Sequence, residues 1–145
     1  MYRATTHGFD GAAFHARCDG RARLLVLVRA RDGGWLFGGF TAVGFSPPER
    51  AYSDPSAFLF SLTNSLGCPE KLESKGTGRD LEYDSSASAT FGFGDLYICG
   101  YADTKADSFT NMGVTYAASA STGAHPMAQG WQEGWLAAEV VAWVV

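Results

Sequence analysis

The sequence predicts a mainly β fold with minor α content, a two-sheet antiparallel β-sandwich with a few short helices. Three features carry this expectation: 18 glycines among 145 residues, an aromatic share of 14%, and turn signals that recur about every ten residues between short apolar runs. Long amphipathic stretches are scarce.

The first element is one short helix. Between Gly8 and Gly20, Phe14 and Cys18 stand four apart, Asp10 is placed to cap the first turn, and Gly20 stops it. Leu24-Leu25-Val26-Leu27-Val28-Arg29-Ala30 is a continuous aliphatic run, expected to be a strand buried on both faces. Arg31-Asp32-Gly33-Gly34 then turns the chain into a second strand from Trp35 to Ala42. Tyr52-Ser53-Asp54-Pro55-Ser56 forms a turn before a strand over Ala57 to Asn64, in which Phe58 and Phe60 alternate with smaller or polar residues. The polar stretch from Gly67 to Arg79 suits a hairpin or wide loop and no core strand.

Leu81 to Tyr83 is a short strand, and Thr90 to Gly94 a glycine-punctuated lead into the strand Asp95-Leu96-Tyr97-Ile98-Cys99. Ser108 to Gly113 reads as a loop. The small residues from Ala117 to Ala124 offer little apolar area against the entropy of ordering, so this stretch is expected to be mobile. Trp135 to Val145, rich in β-branched and aromatic residues, closes the fold as a final strand. The expected core takes Leu25, Leu27, Phe37, Phe58, Phe60, Leu96, Ile98 and Val140 from these strands.

The length fits one domain spanning residues 1–145, with core enough to dispense with disulfides. Lys and Arg number 11 against 15 Asp and Glu, a formal net charge of -4, which disfavours nucleic acid as a partner. The arginines at positions 17, 21, 23, 29 and 31 form a local basic cluster that reads as a solvated face. Cys18, Cys68 and Cys99 are odd in number and far apart, which argues for a reducing, intracellular, cytoplasmic setting. No apolar run approaches the roughly 20 residues needed to span a bilayer, so no membrane insertion is expected.

Several motifs resemble a known family. Phe37-Gly38-Gly39-Phe40-Thr41 followed by Asp54-Pro55-Ser56-Ala57-Phe58-Leu59-Phe60-Ser61-Leu62-Thr63-Asn64 is similar to the Phe-Gly-Gly-Tyr-Thr and Asp-x-x-Ala-Phe-Leu-Phe-Ser-Leu-x-Asn strands of the TLDc domain. The opening, Tyr2-Arg3 through Phe14-His15 and Cys18-Asp19-Gly20, also resembles it, as do Asp95-Leu96-Tyr97-Ile98, Ser108-Phe109 with Asn111 and Gly113, and Glu139-Val140. There are departures: Phe45 stands where many relatives carry Trp, Val141 where a second Glu is usual, and the helix that larger relatives place ahead of the first strand is missing. The resemblance implies a two-sheet sandwich, a link to oxidative-stress resistance, and a protein partner, the vacuolar-type proton-pumping ATPase.

Candidate chemistry is sparse. His15-x-x-Cys18 has metal-like spacing, but zinc takes about four ligands and Cys68, Cys99, His7 and His125 supply no second close pair, so no metal or cofactor is expected. A redox-active or hydrolytic enzyme using Cys18, Cys99 or a carboxylate pair is the rival reading, and no orienting third residue for it is recognisable. The binding candidates are Asp54, also a natural turn-former, Trp131 in its polar Gln129-Gly130-Trp131-Gln132 context, and Glu139, which would otherwise be an edge-strand charge that blocks aggregation.

Overall fold

Residues 1–123 and 125–145 are described in the computed structural model. In chain order they form β1 (Tyr2–Arg3), α1 (Ala4–His7), α2 (Gly11–Cys18), β2 (Leu24–Ala30), β3 (Leu36–Thr41), β4 (Ala51–Tyr52) and β5 (Phe58–Ser61). There follow β6 (Glu70–Glu73), β7 (Leu81–Glu82), β8 (Ala87–Phe91), β9 (Leu96–Cys99), β10 (Ser108–Asn111), β11 (Trp131–Trp135) and β12 (Ala137–Val144). The strands sort into two six-stranded sheets, β1-β12-β2-β3-β5-β6 and β11-β10-β9-β8-β7-β4, with antiparallel neighbours throughout the pairings described. The two-sheet antiparallel sandwich with short helices is therefore the observed architecture.

Period-two alternation puts one face of each strand between the sheets. The first sheet sends in Leu24, Val26, Val28, Phe37, Leu59, Leu72, Val140 and Ala142, and the second sends in Leu81, Ala89, Phe91, Leu96 and Ile98, all buried. Phe14 and Cys18 of α2 join this core, and Asp10 caps that helix by accepting from the Ala13 amide at 2.8 Å, as the spacing predicted. Phe60 is buried, but on the outer face of its sheet, while Phe37, Leu96, Ile98 and Val140 are core residues as expected.

Leu25, Leu27 and Phe58 are not. They lie half-buried on the outer face of the first sheet, where with Phe60, Leu62 and Trp143 they line an open apolar groove of about 490 Å³. The reason is phase: an unbroken aliphatic run has no alternation to say which set faces inward, and a slip of one residue exchanges the two faces. Lys71 lies 4.4 Å over the Phe58 ring, so its stem covers part of that surface.

Five strands occupy stretches that sequence pattern left as turn, loop or lead, β4 among them at the start of the expected Tyr52–Ser56 turn. β6 forms the edge of the first sheet and buries Leu72, while β8 carries Ala, Ser and Thr, whose small side chains gave no apolar signal. β10 falls in the expected Ser108–Gly113 loop and pairs with β11, whose Gln, Glu and Gly content disguised it. The stretch expected to be mobile is tied down over residues 117–123, where Glu70 accepts from Ser119 Oγ, the Ala120 amide and Ser121 Oγ at 2.8, 2.8 and 2.9 Å. Its last residue, Ala124, lies outside the described residues.

Gly38 and Gly39 let β3 approach β2 in its own sheet and β8 of the facing sheet closely. A Cβ on Gly38 would stand 1.9 Å from the Val26 carbonyl oxygen, and one on Gly39 would stand 2.7 Å from the Phe91 ring. Gly38→Ala is expected to cost about 3 kcal/mol or more, because the obstacle is backbone in a paired strand. Chemical denaturation would show it as a lower midpoint, and an unchanged midpoint would refute the close approach.

Candidate functional site

Asp54 and Glu139, expected at the surface, are both withdrawn from it. Asp54 is 2% exposed at the end of the turn before β5. Its Oδ2 accepts from Thr41 Oγ1 and the Ala42 amide, each at 2.7 Å, and its Oδ1 accepts from Ser56 Oγ at 2.6 Å. Burial opposes its ionisation, yet hydrogen bonds from Ser56, Thr41, Ala42 and Val43 outweigh that and hold the carboxyl below the usual carboxylate range. It is a structural turn-former whose oxygens are spent.

Glu139 is not on an edge strand, because β1 pairs outside β12. Its side chain is 14% exposed, accepting from Thr5 Oγ1 at 2.6 Å, from the Thr5 amide at 3.1 Å and from the Arg3 guanidinium at 3.2 Å. That is a clamp from β12 onto the start of α1. It satisfies an amide of the helix's first turn, which lacks an intrahelical acceptor.

The thiols fare similarly. Cys18 is buried against the core, and that burial pushes its thiol up to about 12, so the nucleophilic thiolate is suppressed near neutral pH. Cys99 is buried, donating to the Lys105 carbonyl and accepting from Ser108 Oγ. His15 is committed elsewhere: Nδ1 lies 2.7 Å from Asp19 Oδ1, and Nε2 faces the carbonyls of Asp84 and Ala87. Among the described residues, no group of three His, Cys, Asp or Glu side chains could hold a metal ion, and no helix is long and apolar enough to cross a membrane.

Trp131 is different. It is 53% exposed on β11, the open edge of the second sheet, and its ring stacks on Phe109 at 4.8 Å and 20°. Phe109 stacks in turn on Tyr97 at 4.8 Å and 16°. The three rings form a ladder across β11, β10 and β9, each held by its neighbour, and the Trp131 indole is fixed further by donating to Glu133 Oε2 at 3.0 Å. They line an open groove of about 330 Å³ on the outer face of the sheet, shared with Glu82, Asp84, Thr90, Phe93 and Asn111. Burial, and then the Asp84 carboxylate, raise the Tyr97 phenol above its ordinary value, so it stays neutral.

Sequence reasoning found Trp131 through its polar context and missed the rest of the groove. Tyr97 was placed on a strand opposite Leu96 and Ile98, which already points it outward, but Phe109 had no strand to sit on until β10 was recognised.

Two outcomes follow for the withdrawn residues. Glu139→Lys should destabilise the domain by about 2 kcal/mol, since it removes three acceptor contacts and sets an ammonium beside Arg3. Thermal unfolding would show a clearly lower Tm, and an unchanged Tm would dismiss the clamp. A thiol reagent should modify the exposed Cys68 in the native protein, with the buried Cys18 and Cys99 reacting only on denaturation. Prompt native labelling of Cys18 would reopen the redox reading.

A comparison with curated proteins found no match. The family model of the TLDc domain matches residues 1–133 of the 145-residue chain, a span that includes both helices, the turn at Asp54 and all of the second sheet except the last two residues of β11. With this match covering most of its length, and with the two-sheet sandwich in place, the chain belongs to the TLDc domain family.

Proposed function

We propose that this oxidation-resistance-type domain is a non-enzymatic protein-interaction module, and that its partner is a subunit of the vacuolar-type proton-pumping ATPase. The observation that carries the docking role is the ladder ending at Trp131, a large aromatic surface that stays uncovered and is held in one orientation. Interface hot spots are enriched in such residues, because Trp and Tyr bury much area with few rotamers left to freeze. The rival enzyme reading loses support where Asp54, Cys18 and Cys99 spend their polar atoms inside the fold or hold their protons.

The domain, immobilised and exposed to eukaryotic lysate, is expected to retain subunits of the proton pump. Trp131→Ala should weaken that capture by about thirtyfold, the scale of one hot-spot side chain. Its circular dichroism should match that of the wild type. Pump subunits absent from the wild-type eluate would remove this partner, and equal capture by the variant would remove Trp131 from the interface.

A further inference from the structure

We infer that the groove on the second sheet contains a slot for one arginine side chain, contributed by the docked partner. The inference rests on the docking role and adds the chemistry that the surface recognises. Strand registers pair Glu82 with Thr90, Thr90 with Tyr97, and Tyr97 with Phe109, so these four residues form one row across β7, β8, β9 and β10. Phe109 covers one face of the Tyr97 ring at 16°, so the ring normal runs along the row and the opposite face looks toward Thr90 and Glu82.

Thr90 is small. Adjacent strands lie about 4.8 Å apart, so Tyr97 and Glu82, two strands apart, are separated by about 9–10 Å, room for one planar group stacked on the phenol ring. One wall of that slot is an aromatic face and the other a carboxylate, with Asp84 at the far end, its Oδ2 3.5 Å from the Tyr97 hydroxyl. Glu82 takes part in none of the ion pairs among the described residues.

The floor supplies the independent observation. Thr90 is 4% exposed and lines the groove, and its buried hydroxyl has no hydrogen-bond partner among the described residues. A buried hydroxyl left unpaired is costly, so an arriving donor that pairs with it gains free energy. A guanidinium suits both walls at once, because it stacks flat on an aromatic ring and pairs with a carboxylate, and it has N–H groups to spare for the Thr90 hydroxyl once that side chain turns toward it. An ammonium is a compact point charge that gains less from a flat slot. At the rim the protein already displays this kind of pairing, with Arg79 lying 4.7 Å over the Phe93 ring. The chain's net charge of -4 favours the approach of a basic segment.

The test is an NMR titration of the isotopically labelled full chain with N-acetyl-arginine amide, run beside its citrulline and lysine counterparts. The arginine probe should shift the amides of Glu82, Asp84, Thr90 and Tyr97, with the neutral citrulline probe, equal in shape, about tenfold weaker and the lysine probe weaker as well. Glu82→Gln should weaken the arginine probe about tenfold. Thr90→Val should raise Tm, because it removes the unpaired hydroxyl, and should weaken the probe at the same time. Citrulline or lysine binding as well as arginine, shifts centred elsewhere, or a Thr90→Val variant with unaltered affinity would overturn the slot. Arginine binding without capture of pump subunits leaves the slot and removes that partner; capture without arginine binding does the reverse.

Discussion

Three buried aspartates, Asp54, Asp80 and Asp95, hold the loops on which the rest of the fold depends. Many strands here are only two to five residues long, so the connections between them need anchors of their own. Asp80 is central: its carboxylate accepts from the Asp54 amide at 2.8 Å and from Ser74 Oγ, while its carbonyl accepts from the Gly92 amide and the Tyr116 hydroxyl. Asp95 accepts from the successive amides of Val114, Thr115 and Tyr116 at about 3 Å. A carboxylate out of water is tolerated only when its oxygens are satisfied in this way. For Asp95 burial outweighs those bonds and its carboxyl is raised; for Asp54 the bonds win and it is lowered.

These anchors also set the geometry of the aromatic groove. Asp95 stands immediately before β9, and Gly92, at the turn out of β8, has a φ of 67° and no room for a Cβ, which would meet Asp95 Oδ1 at 2.4 Å. The β8–β9 turn is thus locked between a glycine and a carboxylate. Its lock fixes which residue of β9 stands opposite Thr90, and so fixes Tyr97 in the row with Glu82 and Phe109. The aromatic face inherits its order from the carboxyl groups buried beneath it.

Much of the fold was legible because its strongest signals are local. The Asp10 cap, the Gly33-Gly34 hairpin and the apolar alternation at Leu96 and Ile98 each work within a few residues. What was not legible needed partners distant in sequence. Glu139 looked like a surface charge until β1, 136 positions away, was seen to lie outside β12. Leu25 and Leu27 were indistinguishable from Val26 and Val28 because nothing in the run marks an inward phase. Thr90 carries no signal at all: an unpaired hydroxyl exists only once its surroundings are assembled.

The link between this family and oxidative stress invites a search for a sacrificial thiol, and neither Cys18 nor Cys99 is placed to be one, which leaves the exposed Cys68. Reaction with peroxide needs an accessible thiolate, and burial both hides Cys18 and lifts its thiol to about 12. Cys99 sits between Ser108 and the Lys105 carbonyl inside the fold. Asp54 and Asp95 are engaged in the loops, where burial and the hydrogen bonds they accept together set their protonation. The two buried thiols and the loop aspartates are spent on holding the fold together, and what β9, β10 and β11 leave turned outward is an ordered aromatic surface.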